Sequence, residues 1–152
     1  MDTQVLAPAA ALIVWSIMML LWMALTRFPA MAKMRGAGGG KGTSGSPLAG
    51  APRGARGQDL EGRIPDEVNW KAHNYAHLME QPTLFYAVVL IWAIIGPTSD
   101  IVVAAWLYTI LRIAHSLWQA LVNVVSIRFL LFLASTLALA YLAVRALIAT
   151  MA

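Results

Sequence analysis

Two stretches of otherwise apolar sequence carry side chains able to donate, accept or hold protons. His73, His77 and Glu80 recur at i, i+4 and i+7, so a helix puts them on one face, with Asn74 beside them. Tyr108, Arg112, His115, Gln119 and Asn123 fall within an equally narrow arc of a second stretch. Such a set can pair internally, bind a small charged ligand or ligate a metal. The metal reading uses His73, His77 and Glu80, with His115 able to join. Arg112 repels a cation there and only one carboxylate flanks the site, so no metal ligand is assigned. The chain has no cysteine, so a thiol in any reaction must arrive with a substrate.

These side chains need helices long enough to cross a bilayer. The chain has 152 residues, 60% of them apolar and 12% charged. Soluble domains carry roughly 25% charged residues. Four apolar segments at about 5–26, 66–95, 101–122 and 126–148 each reach the 20 residues that span a membrane, and the second, about 45 Å long, protrudes by its first few turns on the basic side. The expected fold is therefore an all-α, four-transmembrane-helix bundle forming a single domain over 1–152. No basic residue precedes the first apolar run, so it reads as a retained span rather than a cleaved signal. Trp15 and Trp22 on it fit contact with lipid or headgroups. Pro82 inside the second segment frees the carbonyl of Leu78 and predicts a kink. Thr98, Ser99 and Asp100 predict a cap for the third helix, and Arg145 near the outer end of the fourth can snorkel. Trp70, Trp92, Trp106 and Trp118 read as packing and interface residues.

Eight of the eleven Lys and Arg lie between Arg27 and Lys71. A basic loop between apolar segments argues against nucleic-acid binding and places residues 28–65 in the cytoplasm, with both termini outside. Its Gly-, Ala- and Ser-rich composition predicts a flexible connection. The rise per residue then gives depths. Glu80 falls about 22 Å from the outer surface and Arg112 and His115 about 17 to 21 Å. A Glu80–Arg112 ion pair is expected, since each is otherwise an unpaired buried charge. Arg27, His73 and Arg128 fall about 31 to 33 Å in, with Lys71 nearby. They form either a ring of donors for a small anion such as a carboxylate, or ordinary flanking charges.

The segment His73-Asn74-Tyr75-Ala76-His77-Leu78-Met79-Glu80-Gln81-Pro82-Thr83-Leu84-Phe85 resembles the second helix of the MAPEG family, the membrane-associated proteins of eicosanoid and glutathione metabolism, and looks most like its bacterial branch. Arg112-Ile113-Ala114-His115-Ser116, with Arg128 thirteen residues after His115, is similar to that family's third and fourth helices. The resemblance is good over 66–130 and rests on hydropathy elsewhere. It implies a homotrimer in a bacterial inner membrane, with sites between subunits that hold glutathione as co-substrate. It implies that Glu80 holds the glutathione amino group, that Arg112 belongs to the polar core and that His115 contacts the peptide. Arg128 would lie near the thiol as the catalytic group, and Arg27 would approach a carboxylate. His73, His77 and Gln119 occupy further family site positions.

The departures are specific. Catalytic members carry R-x-x-R-N-x-x-E where this chain has His73, Ala76, His77 and Glu80. A family tyrosine is Gln119, and the serine that follows the helix 4 arginine in one member is Phe129. The resemblance thus implies either a glutathione-dependent transferase or peroxidase acting on a lipophilic electrophile, or a non-catalytic subunit of a larger membrane complex.

Overall fold

The computed structural model describes residues 3–37 and 56–151. Among these residues five α-helices follow one another: α1 Leu6–Ala37, α2 Asp66–Leu78, α3 Gln81–Ile95, α4 Ser99–Leu121 and α5 Val125–Met151. They make four stretches long and apolar enough to cross a membrane, because α2 and α3 together form one, Asp66–Ile95. There is no strand among the described residues. The chain is therefore an all-α, multi-pass membrane protein. Leu25, Ile94, Val103 and Leu147 point outward, with Ile94 78% exposed, and this apolar outer face belongs against lipid.

The first helix is longer than its apolar stretch. It was expected to end near residue 26 and instead runs to Ala37, through Pro29. Ala30, Met31, Ala32, Lys33 and Met34 are strong helix formers. The proline costs one backbone hydrogen bond, that of the Leu25 carbonyl. At about 1.5 Å per residue the helix is about 48 Å long, some 18 Å more than a hydrocarbon core needs. The expected flexible connection over 28–65 is thus helical in its first ten residues. Its last ten pack as well. Gly57–Leu60 form a short 3₁₀ turn whose start is held by the Asp59 carboxylate, which accepts the Arg56 N–H at 2.7 Å. Ile64 is buried, which anchors the approach to α2. The central part of the connection, 38–55, lies outside the described residues.

The second span breaks. Instead of one kinked helix, α2 stops at Leu78 and α3 starts at Gln81, with Met79 and Glu80 in a turn. Pro82 explains where: it has no N–H for the Leu78 carbonyl. Thr83 then closes the turn, donating its N–H (3.2 Å) and its hydroxyl (2.6 Å) to the Glu80 carbonyl.

Helix α4 is the centre of the bundle. Ile101, Ala105, Tyr108, Thr109, Arg112, His115, Ser116 and Gln119 are all buried, tracing the i, i+3, i+4 stripe of a core-facing helix. Its partner α5 packs antiparallel after the three-residue turn Val122-Asn123-Val124. Asn123 has φ 55, the left-handed conformation that asparagine tolerates better than most residues. At the other end, Thr98 is the N-cap residue but makes no side-chain cap bond. Its hydroxyl donates to Asp100, whose other oxygen accepts from Tyr141 (2.6 Å) and Arg145 (3.0 Å). The expected cap is thus a tie between the start of α4 and the end of α5. Arg145 is ion-paired there.

Candidate functional site

The break between α2 and α3 decides the site. Ending α2 at Leu78 leaves its last carbonyls without intrahelical donors. Arg112, fully buried on α4, reaches across and donates through Nη2 to the His77 carbonyl at 3.0 Å. The same nitrogen lies 3.0 Å from His77 Nδ1. A guanidinium near a helix C-terminus is favoured by both the open carbonyls and the dipole. His77 stacks on His115, with ring centroids 5.0 Å apart and planes 29° apart. Phe132 of α5 closes the cluster, edge-on to His77 at 5.4 Å and beneath the Arg112 guanidinium at 5.9 Å. The result is a cation held among two imidazoles and a phenyl ring.

The expected Glu80–Arg112 ion pair is absent: the ion pairs among the described residues are His73–Glu61 and Arg145–Asp100. Equal depth was the argument for that pair, but pairing also needs the right rotation about the helix axis. The turn at 79–80, with Glu80 at φ −91 and ψ −93, takes Glu80 off the face it shared with His77. Its side chain is exposed and its carboxylate has no hydrogen-bond partner among the described residues. Glu80 still lies within electrostatic range of Arg112 and His77.

The expected ring of border cations also divides. His73 binds Glu61 at 3.0 Å. Arg27 donates to the Gly57 carbonyl, and a Cβ at Gly57 would sit 3.1 Å from both terminal guanidinium nitrogens, so the bare glycine lets the cation lie flat against the backbone. Lys71 donates to the Glu67 carbonyl (2.8 Å) and lies 5.2 Å from the Trp22 ring centroid. Arg128 donates to Asn123 Oδ1 at 2.7 Å, so the left-handed turn residue positions it. Arg128 is close enough to act electrostatically on both His77 and His115. Gln119 is buried one turn below His115, and its Oε1 has no partner. Tyr108 stacks on Phe85 at 4.2 Å, with its hydroxyl 3.5 Å from Gln81 Oε1. Of the predicted residues, the fold therefore gathers His77, Arg112 and His115, with Arg128 and Glu80 at the margin, and holds Arg27 and His73 elsewhere. Among the described residues no three His, Asp or Glu side chains converge as metal ligands.

Two features escaped sequence reasoning. Phe132 follows Arg128 by one helical turn, so i, i+4 spacing on α5 could have located it. Ser116 follows Arg112 by the same interval. Its Oγ accepts from Asn74 Nδ2 (2.8 Å) and from Trp15 Nε1 (2.9 Å), joining α1, α2 and α4 beneath the histidines. Trp15, expected at lipid, thus also donates to a buried acceptor.

The Arg112 guanidinium has a consequence for stability. Its Nε and Nη1 are buried without hydrogen-bond partners. Buried charges and orphaned donors each cost folding free energy. The bonds to His77 contribute about 1.5–3 kcal/mol each, as bonds to charged groups do, and the unpartnered N–H groups on the two orphaned nitrogens cost a similar amount. Arg112→Met should therefore change unfolding stability by no more than about 1 to 2 kcal/mol, read from thermal unfolding in detergent. A collapse of the fold would show instead that the His77 bonds dominate.

A family model described as MAPEG family matches residues 5–148, nearly the whole chain. No curated protein matches it, and no solved structure does.

Proposed function

The chain belongs to the MAPEG family, and from that membership we propose that it is a trimeric membrane protein that binds glutathione and transfers it to a lipophilic electrophile. The observation that carries the reading is the free Glu80 carboxylate beside an un-neutralised cluster of Arg112 and Arg128. A zwitterionic tripeptide offers the matching charges, an ammonium for Glu80 and anionic groups for the cations. His77 and His115 stack beside Arg112, Gln119 offers an unpaired acceptor, and Arg27 and His73 stand at the border. Arg128 favours the glutathione thiolate by its charge. The thiol proton leaves to solvent, the sulfur attacks the electrophilic carbon, and the C–S bond forms as the leaving group departs with its electron pair. The protein supplies positioning and electrostatic stabilisation. Both termini lie outside and the 28–65 connection faces the cytoplasm of a bacterial inner membrane in this reading.

A second reading is a MAPEG-fold subunit without catalysis, in a larger membrane complex. It is favoured by the engagement of Arg27 with Gly57 and His73 with Glu61, which withdraws two candidate ligand groups. Phe129, where a hydroxyl would help the thiolate, points the same way. Titration calorimetry of the detergent-solubilised protein with glutathione separates the two. Saturable binding that weakens in Glu80→Gln is expected. Absence of heat at millimolar glutathione would leave the non-catalytic reading.

A further inference from the structure

The most specific unassigned feature is a cleft of about 550 Å³ between the last turns of α1 and the approach to α2. Leu25, Pro29, Ala30 and Ile64 form its apolar wall, and Lys33 and Arg63 stand at its rim. Neither cation makes a side-chain hydrogen bond or ion pair among the described residues. No carboxylate lines the cleft; Asp66, which follows Pro65, lines a separate hollow with Glu61 and His73. The cleft also spans two depths. Leu25 is 74% exposed at the lipid-facing level of α1. Lys33 lies eight residues further, about 12 Å along the axis. Arg27 marks the border, so the Lys33 backbone stands about 9 Å beyond it, from where its flexible stem can reach back to a headgroup. A cleft with an apolar wall that reaches lipid-exposed Leu25 and two unpaired cations at its far side matches one ligand chemistry: a phosphate diester carrying an acyl chain.

We propose that the α1–α2 cleft is a binding site for one anionic phospholipid, its phosphate held between Lys33 and Arg63 and an acyl chain lying along Leu25 and Pro29. Basic groups between helices at a membrane border recognise such headgroups, each contributing on the order of fivefold in affinity. The site is separate from the Arg112 cluster and does not depend on the glutathione reading.

The test uses the full chain in detergent, titrated with phosphatidylglycerol and followed by native mass spectrometry and thermal unfolding. One retained phosphatidylglycerol per chain is expected, with no equivalent retention of phosphatidylcholine. Lys33→Gln with Arg63→Gln should weaken it about twenty-five-fold, the product of two fivefold terms. Ala30→Trp, which fills the cleft with both charges intact, should abolish retention. Lys41→Gln with Arg53→Gln removes the same two charges from the same connection and should leave retention unchanged. An equal loss in that control would overturn the site in favour of a diffuse field. Stabilisation by inorganic phosphate alone, equal to that by the lipid, would overturn the lipid assignment. A change of oligomeric mass in Ala30→Trp would mean that a second copy fills the cleft.

Discussion

Replacing Arg128 with alanine is expected, on the glutathione-transfer function proposed above, to lower kcat/KM toward a lipophilic aryl halide by about a hundred- to a thousand-fold, the loss that follows removal of one preorganised charge-stabilising donor. The loss should appear chiefly in kcat, because a cation beside the sulfur acts most strongly where negative charge is concentrated on it. Arg128→Lys should recover part of the rate, since it keeps the charge and loses the planar fork. The neighbouring turn gives a sharper check. Asn123 holds the Arg128 guanidinium through Oδ1 at 2.7 Å while sitting at φ 55. Asn123→Gly keeps the backbone relaxed and removes only that anchor. It should cost about tenfold in kcat with little change in thermal stability. Initial rates across a glutathione concentration series measure all three variants. An Arg128→Ala protein with the parent's kcat/KM would remove Arg128 from the chemistry.

Ser116→Ala should lower unfolding free energy by about 3 kcal/mol, the largest stability effect expected of a single-atom deletion in this chain. The hydroxyl oxygen accepts two hydrogen bonds from groups that come from different helices, Asn74 on α2 and Trp15 on α1. Ser116 and Asn74 are fully buried. Removing the acceptor strands both donors, each at a cost of about 1–3 kcal/mol. Asn74 Nδ2 makes no other hydrogen bond among the described residues, so its donor is left stranded. The paired deletion Ser116→Ala with Asn74→Ala should cost less than the sum of the two singles, since one donor is removed along with its acceptor. Denaturation of the detergent-solubilised variants, followed by helical circular dichroism, gives the cycle. Strict additivity would show that the bond between Asn74 and Ser116 contributes nothing.

Much of this architecture is legible residue by residue. Hydropathy and length are local quantities, so four spans follow from runs of apolar residues without any knowledge of packing. The polar stripe on α4 is equally local: Tyr108, Arg112, His115 and Gln119 share a face by the period of the helix, and all four are buried. Pro82 announces the interruption of the second span. The motif spanning His73 to Phe85 led to the family whose model matches nearly the whole chain.

Partner choice is another matter. Depth along the bilayer normal gave Glu80 to Arg112, yet His77 holds it, because a break of two residues turns Glu80 off the shared face and opens the His77 carbonyl to a donor. The border cations were similar: equal depth grouped Arg27, His73 and Arg128, but Gly57, Glu61 and Asn123 each claim one. Helical period and rise per residue are properties of a straight, isolated helix, and sequence alone determines them. Which side chains meet depends on backbone breaks, on the rotation of one helix against the next and on carbonyls left open, and those exist only once α1, α2 and α4 are packed together. The sequence by itself thus determined four membrane spans and a polar interior; the tertiary structure decided that the interior is a buried arginine held by His77, with His115 stacked on that imidazole and Glu80 free beside it.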